Sequence, residues 1–340
     1  MKKIIIIMSL LIAMAAWNIM YAGDLNRIGT TSGAQLLVPV GARSIGLGGA
    51  SLGTVKGAEA IYWNPAGIAY SNRSELLVNH MQYIADIKLN YLAVTYNGRN
   101  IGAFGFHLKS FDFGDIEQTT EDQPDGTGVT YSPTFIVAGF SYSRLLTDRI
   151  TAGVTAKLVY ESVLQTNAST IAFDLGVQYS FSSKLRIGVV MKNVGGKMQY
   201  NGANLERQFP LPSTSTQVDN GPFRGVALKS DIPSLFSFGA AYTANINEEN
   251  TVTASAAFSN FNDSSDQFYG GIEYGFKNFF FLRGGYVYEP QRPQDQIFGA
   301  TFGFGADVPV GNFDITFDYA FRQVTDFFDS NNIFTIKIGI

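Results

Sequence analysis

The chain has 340 residues, among them 28 Phe, 17 Tyr, 2 Trp and 36 Gly, and it has no Cys. Only 15% of its residues are charged, against roughly 25% in an ordinary soluble domain. An apolar content of 46% with a net charge of -4 excludes a disordered chain. The acidic balance argues against a nucleic-acid partner, because phosphate would repel it. Without Cys, and with His80 and His107 as its two histidines, the sequence predicts no disulfide, metal site or cofactor.

The N-terminus has the pattern of a secretory signal peptide. Lys2 and Lys3 precede an apolar run that ends at Ala16, and the first acidic residue is Asp24. The run is shorter than the roughly 20 apolar residues of a membrane-spanning helix. We therefore predict that residues 1–22 are a signal peptide, with Ala13 to Ala15 as a competing cleavage site and a buried N-terminal helix as the alternative. No later apolar run approaches a membrane helix, so the exported protein is either soluble or a transmembrane barrel.

From about residue 74 onward, every second residue is apolar over most of the chain. In one segment Ile171, Phe173 and Leu175 alternate with Ala172 and Asp174, which is the two-residue period of a β-strand. Most such segments have about the 9 to 11 residues that a tilted strand needs to cross a bilayer. The first two alternate poorly, so their faces stay unassigned. The predicted strands are 74–83, 87–97, 100–110, 134–144, 150–163, 168–180, 185–193, 235–246, 251–260, 267–276, 279–288, 296–307, 312–322 and 332–340.

The connections between these strands alternate in length. Those after even-numbered strands are short, and those after odd-numbered strands are generally longer, including 111–133 and 194–234. An even number of strands with short turns on one side is the layout of a bacterial outer-membrane barrel, which contacts outer-membrane lipid and has both termini in the periplasm. A soluble β-sandwich would also give alternating strands, but it would not explain the low charge. We predict an all-β protein in which residues 74–340 form a 14-stranded antiparallel transmembrane β-barrel.

Residues 23–73 do not have the strand pattern and are rich in glycine. A phosphate-binding loop is excluded, because no Gly-Lys-Ser/Thr follows the glycines and Gly46, Gly48 and Gly49 lack the third glycine of a dinucleotide fingerprint. A lumen bounded by 14 strands is too wide for side chains alone to fill. The sequence therefore predicts that residues 23–73 fold inside the lumen as an N-terminal plug.

Two stretches of this segment carry a family resemblance. Residues 32–50, and residues 60–69 with the run Ile61-Tyr62-Trp63-Asn64-Pro65-Ala66-Gly67, resemble the opening of the PorV/PorQ family of outer-membrane proteins. That family is similar to the FadL-type fatty acid transporters, which are 14-stranded barrels with an N-terminal hatch containing Asn-Pro-Ala. The resemblance implies a plug motif at Asn64, Pro65, Ala66 and Gly67.

The same resemblance implies two alternative functions. As a PorV-like protein, the chain would act in type IX-like protein secretion or surface attachment, by binding cargo or partner proteins. As a FadL-like protein, it would transport a hydrophobic small molecule across the outer membrane, with Ile61, Tyr62 and Trp63 as possible contacts of the ligand. The identity of the neighbouring genes would discriminate between these two functions, whereas the sequence of the chain alone does not.

The predicted inward faces of the strands carry charges of both signs. Such a mixture suits salt-bridged packing against a plug better than an ion-selective pore, in which one sign dominates. A single inward histidine is weak support for a catalytic constellation, so we expect no enzymatic activity. The predicted polar network of the lumen consists of His107, Lys157, Glu161, Asp174, Arg186, Glu273, Arg283 and Asp318.

Overall fold

The computed structural model describes residues 27–210, 220–325 and 328–340, so the predicted signal peptide lies outside the described residues. Strands that alternate in burial dominate the fold, as the period of two in the sequence requires. The barrel strands are β1 (Glu75–Gln82), β2 (Lys88–Asn97), β3 (Ala103–Asp112), β4 (Thr134–Thr147), β5 (Ile150–Val163), β6 (Thr166–Ser180), β7 (Leu185–Gly195), β8 (Leu235–Asn245), β9 (Asn250–Phe261), β10 (Gln267–Phe276), β11 (Phe280–Tyr288), β12 (Phe298–Val310), β13 (Phe313–Val324) and β14 (Asn331–Gly339).

Each strand pairs antiparallel with the next one, and β1 pairs with β14 through Glu75 and Gly339. The sheet is therefore a closed barrel of 14 strands, which confirms the predicted 14-stranded antiparallel β-barrel. The predicted limits of β5 and β10 agree with the structure, and every other limit differs by three residues or fewer. The prediction succeeded because alternation is a local property of the sequence, which turn residues interrupt at each strand end.

The two ends of the barrel differ in their connections. One end, which we call the short-turn end, has the turns 98–102, 148–149, 181–184, 246–249, 277–279 and 311–312. The other, the long-loop end, has 113–133, 196–234 and 289–297, together with shorter links. The predicted alternation is thus confirmed, although the link between β5 and β6 is only Leu164 and Gln165. At the short-turn end, the backbone N–H of Ile340 donates to the carbonyl of Ser74 at 2.9 Å.

Helical structure in the described residues consists of short pieces. Before β1 these are α1 (Ala42–Gly46) and α2 (Ala60–Trp63), with 3-10 turns at Ala34–Leu36, Gly57–Glu59 and Pro65–Tyr70. Further 3-10 turns lie in the connections, at Arg99–Ile101, Ala203–Leu205 and Pro293–Asp295. Across the described part of the chain, none of the helices has the length and apolar character required for a membrane span.

The outer face of the barrel is mostly apolar. On β6 the outward residues Ile171, Phe173 and Leu175 are exposed, whereas the intervening Ala172 and Asp174 are buried. Exposed apolar side chains in a continuous belt are unfavourable in water but favourable against hydrocarbon. The low overall charge of the sequence therefore follows from the large surface that faces lipid.

Residues 33–71, which we call the N-terminal segment, pack against the inner face of the barrel. Their fully buried apolar side chains include Leu47, Ile61 and Ile68. Inward glycines lie where the segment approaches the wall most closely, for example Gly285 beside the backbone of Leu47 and Gly48. Other wall glycines in such contacts are Gly105, Gly153, Gly176, Gly188, Gly271 and Gly303.

Two adjacent glycines of β11 test this fit. A Cβ at Gly285 would overlap backbone atoms of Leu47 and Gly48, whereas a Cβ at the outward Gly284 would meet no atom within 4 Å. We expect Gly285→Ala to lower the free energy of unfolding by about 1–3 kcal/mol, the usual effect of overpacking. The loss of stability is measured by urea titration in detergent, in which folded and unfolded barrel are distinguished by their electrophoretic mobility. Gly284→Ala is the matched control and should change stability little; equal effects of the two variants would contradict the packing.

Candidate functional site

Asn64 lies at the centre of the contact between the N-terminal segment and the wall. Its side chain is fully buried, and its Oδ1 accepts a hydrogen bond from the backbone N–H of Ala66 at 3.2 Å. Its Nδ2 donates to the carbonyl of Leu52 at 3.3 Å and to that of Val177 on β6 at 3.2 Å. A side chain with both a donor and an acceptor is needed here, because it joins the turn, the segment and the wall. Pro65 then begins the following 3-10 turn, with its φ already suited to a helical start.

The rest of the motif is equally constrained. The carbonyl of Ala66 accepts from the Oγ of Ser143 on β4 at 2.9 Å. A Cβ at Gly67 would overlap the carbonyl oxygen of Val55 and would lie 2.8 Å from the Cβ of Ala60. Only a residue without a side chain therefore fits at Gly67 unless its neighbours move.

Arg43 of α1 joins the N-terminal segment to a buried group of charges on the wall. Its Nε and Nη2 both donate to Glu273 of β10 at 3.0 Å. Glu273 also accepts from Nε of Arg283 on β11 at 2.7 Å, and Arg283 forms an ion pair with Asp318 of β13. Two positive and two negative groups thus balance in a region where an unpaired charge would be strongly unfavourable.

Glu59 lies on the other side of α1. Its Oε1 accepts from the backbone N–H of Ser44 at 2.9 Å. Burial raises the pKa of the Glu59 carboxyl, and the nearby positive charge of Arg43 opposes this effect. Glu59 therefore links α1 to the turn before α2 inside the segment itself.

A second charged group lies across the barrel from the first. Lys157 of β5 forms an ion pair with Asp174 of β6 at 2.7 Å and also donates to the side chain of Asn193. The backbone N–H of Asn193 donates to Asp174 at 2.7 Å. This group is buried and fully within the wall.

The predicted lumen residues do not form one network. Glu273, Arg283 and Asp318 form one group, and Lys157 and Asp174 form another. Glu161 instead accepts from the hydroxyl of Tyr200 in the loop 196–234. His107 is buried with its ring 5.7 Å from that of Tyr91, and Arg186 lies 5.9 Å from the ring of Tyr70.

A cavity of about 340 Å³ lies between the N-terminal segment and the strands near the long-loop end. Tyr62 and Trp63 are among its lining residues, but Ile61 is not, because it packs against Gly105 of β3. The cavity has two cations, each held against an aromatic ring: Lys192 with its Nζ 3.5 Å from the centre of the Tyr62 ring, and Arg322 at 3.9 Å from that of Phe298. The other lining residues are mostly apolar and include Leu37, Leu52, Val190, Phe261 and Val287.

A second cavity of about 400 Å³ lies at the short-turn end. Its lining residues are mainly polar or charged, among them Lys56, Arg73, Glu75, Asp307 and Lys337. The N-terminal segment contributes residues to both cavities, so it lies between the two ends of the barrel.

Sequence reasoning missed Arg43, Asn193 and Tyr200. Arg43 is the single charged residue in the glycine-rich stretch 41–53, and this isolation was the available signal. Asn193 has φ 59 within a register irregularity between β6 and β7. Such irregularities depend on pairing between strands and leave no clear mark in the sequence.

The charge balance around Glu273 generates a test. Arg43→Met leaves the buried carboxylates in excess, and we expect it to lower the free energy of unfolding by about 3–5 kcal/mol. Adding Glu273→Gln should restore part of that loss, because it removes the unpaired carboxylate. The control is Arg73→Met, which breaks a half-exposed pair with Asp314 and should change stability by less than about 1 kcal/mol. Denaturant titration in detergent of the unchanged protein, the two single variants Arg43→Met and Glu273→Gln, the double variant and the control measures the effects; additive losses in the double variant would contradict the coupling.

Solved structures with the same architecture include hydrocarbon channels. The chain is similar to the CymD monoaromatic hydrocarbon channel, with TM-score 0.56, 16% identity and coverage of 89% of this chain and 97% of that chain. It is similar to the Pseudomonas putida toluene transporter TodX, with TM-score 0.57, 16% identity and coverage of 89% and 98%. It is also similar to the Ralstonia pickettii toluene transporter TbuX, with TM-score 0.54, 15% identity and coverage of 88% of this chain and 98% of that chain. At these identities the likeness shows the fold alone.

No curated protein matches the sequence. The family model described as Type IX secretion system protein PorV matches residues 22–217, which include the N-terminal segment and β1 to β7. The matched range is more than half of the chain. It places the barrel in the outer membrane and in a family without enzymatic activity, as the sequence led us to expect. The chain therefore belongs to the PorV family of outer-membrane β-barrel proteins.

Proposed function

We propose that this protein acts in type IX-like protein secretion or surface attachment, by binding cargo or partner proteins at the outer membrane. The observation that carries the proposal is the match of the PorV family model to residues 22–217. In this proposal residues 1–22 are removed as a signal peptide, residues 23–73 form a plug and residues 74–340 form the barrel.

The contacts of the N-terminal segment support binding rather than conduction. Asn64 is hydrogen-bonded to β6, Ala66 to β4 and Arg43 to β10. Wall glycines also fit closely against the backbone of the segment. Contacts of this kind suit a protein that keeps the segment against the wall and presents its ends to partners.

The long-loop end offers the larger binding surface. We propose that it is extracellular and that both termini are periplasmic, as is usual for barrels with long loops on one side. Two loops carry short strand pairs of their own: Ile116–Glu117 with Thr130–Tyr131, and Glu206–Pro210 with Asn220–Arg224. Val226 and Leu228 are 81% and 89% exposed. Neighbouring apolar residues with this exposure are typical of contact sites for a protein.

Replacing these two apolar side chains tests the proposal. We expect Val226→Ser with Leu228→Ser to reduce the amount of cargo attached at the cell surface by about tenfold or more, as loss of two buried apolar contacts in a complex would. The readout is surface proteolysis and immunodetection of cargo in cells whose only copy is the variant.

The control for this experiment is Ile246→Ser. Ile246 is 65% exposed in the turn between β8 and β9, at the opposite end of the barrel. The Ile246→Ser variant should leave cargo display unchanged. Normal display of surface proteins in a strain that lacks the whole protein would overturn the proposed function itself.

A second candidate function is transport of a hydrophobic small molecule. The cavity beside Tyr62 and Trp63 supports it, because apolar walls with a few placed polar groups are typical of small-molecule sites. The printed names of the similar structures, toluene transporters and a monoaromatic hydrocarbon channel, point to the same class of ligand.

Filling the cavity tests this second candidate. Val190 of β7 lines the cavity, whereas the adjacent Val189 faces the outside of the barrel. If the protein is a transporter, Val190→Phe should lower the uptake of labelled fatty acid or toluene, and Val189→Phe should not. Unchanged uptake in a strain without the protein would exclude this role.

A further inference from the structure

Some of the buried cations inside the barrel are paired with carboxylates, and others are not. Arg283 contacts both Glu273 and Asp318, and Lys157 contacts Asp174. In the described part of the chain, no carboxylate oxygen lies within 4.0 Å of three other buried cations, which are Lys109, Lys192 and Arg322. The interior around these three residues therefore has an excess of positive charge.

Aromatic rings and a neutral amide take the place of the missing carboxylates. The Nζ atoms of Lys109 and Lys192 lie 4.9 Å and 3.5 Å from the centre of the Tyr62 ring. Arg322 donates from its Nε at 3.0 Å and from its Nη2 at 2.6 Å to the Oδ1 of Asn331. Rings and amides attract a cation, but they do not neutralise its charge. The excess of positive charge is thus left uncompensated by the described residues.

Two of these cations, Lys192 and Arg322, line the cavity of about 340 Å³. Several neutral polar groups of the same lining already have partners within the protein. Trp63 donates its indole N–H to a backbone carbonyl at 2.8 Å, and the hydroxyls of Ser237 and Ser259 are hydrogen-bonded to each other at 2.6 Å. The two cations are therefore the main groups of the cavity that still require a partner.

A carboxylate close to the cavity is engaged elsewhere. Glu289 accepts from the Nε2 of Gln267 at 2.7 Å, and the Oε1 of Gln267 accepts from the hydroxyl of Tyr269 at 2.6 Å. Gln267 and Tyr269 line the cavity, whereas Glu289 does not. This chain of hydrogen bonds occupies Glu289, so the partner of the two cations has to come from a ligand.

The lining as a whole selects an amphiphile. A neutral hydrocarbon would leave two buried cations without a counter-charge, which is strongly unfavourable. An inorganic anion would balance the cations but would leave the apolar side chains of Leu52, Val190 and Phe261 in contact with water. A molecule with an anionic headgroup and an apolar tail satisfies both parts. The volume lies at the lower end of the range of about 300–1,000 Å³ for small-molecule sites, which suits a single tail.

The number of cations indicates the charge of the headgroup. Elsewhere in the barrel two cations are balanced by two carboxylates, as for Arg43 and Arg283 with Glu273 and Asp318. A phosphate monoester carries a charge of about −1.5 to −2 at neutral pH, whereas a carboxylate carries one negative charge. Both lysine and arginine are common partners of phosphate in proteins.

We propose that the cavity binds a single-tailed amphiphile with a phosphate monoester headgroup, which lies between Lys192 and Arg322 with its tail against Leu52, Val190 and Phe261. The inference goes beyond the proposed role in cargo binding. It uses the cavity of the second candidate function, but it concerns binding and does not require that the ligand is transported.

Tryptophan fluorescence offers a direct test of binding. Trp17 lies in the predicted signal peptide, so Trp63 is the single tryptophan of residues 23–340, and it lines the cavity. The probes are dodecyl phosphate, dodecanoate and dodecanol, each with bromine on the terminal carbon, which quenches a nearby indole. They share one tail and differ in headgroup charge. We expect dodecyl phosphate to half-saturate quenching at a concentration about tenfold below that of dodecanoate and about a hundredfold below that of dodecanol.

Substitutions then show whether the cation and the cavity cause this order. Lys192→Met should weaken binding of dodecyl phosphate by about tenfold and leave binding of dodecanol unchanged. The matched control is Lys184→Met, which removes the same charge from an exposed position in the turn 181–184 and should leave all three probes unchanged. Val190→Phe should abolish saturable quenching by every probe, because it fills the cavity. The electrophoretic mobility of each variant establishes that its barrel is folded.

Four results would overturn the proposal: no saturable quenching by dodecyl phosphate, equal binding of dodecyl phosphate and dodecanol, equal binding of dodecyl phosphate and dodecanoate, or an unchanged order of affinities in Lys192→Met. The measurement uses the whole purified protein in a neutral detergent and does not depend on cargo display or on uptake. Failure of the binding site would therefore leave the proposed function standing, and normal cargo display in a strain without the protein would leave the binding site standing.

Discussion

Closure of the sheet by pairing of β1 with β14 is the constraint on which the rest of the structure depends. In hydrocarbon, every backbone N–H and C=O must be bonded within the protein, and only a closed barrel does this with strands. Fourteen strands enclose an interior wider than side chains alone can fill. The sequence therefore has to specify what lies in the interior as well as the wall around it.

The N-terminal segment packs against the inner face of the wall through close backbone contact as well as through buried apolar side chains. Inward glycines such as Gly285 and Gly271 allow the wall to approach Leu47 and Gly48, and Asn64 inserts its amide against β6. Arg43 adds a charged link, since it completes the balance of Glu273, Arg283 and Asp318. Packing and charge together join the segment to the wall, and these contacts are the physical basis for proposing a binding role rather than conduction.

Two surfaces then carry the proposals of function. Exposed Val226 and Leu228 lie on the long-loop end, and the apolar cavity beside Tyr62 and Trp63 lies inside the barrel near that end. The first surface faces water and the second faces the lumen, so substitutions at one can be tested independently of the other.

The sequence by itself determined the strands, their inward and outward faces from β3 onward, and the family, because alternation and the stretch around Asn64 are local patterns. It did not determine the faces of β1 and β2, since polar outward residues such as His80 and Asn90 interrupt the alternation there. Only the tertiary structure decided that Arg43 pairs with Glu273, that the ring of His107 lies beside that of Tyr91, and that Ile61 packs against the wall rather than the cavity. Those contacts join residues far apart in the chain, and strand register and barrel closure alone bring them together.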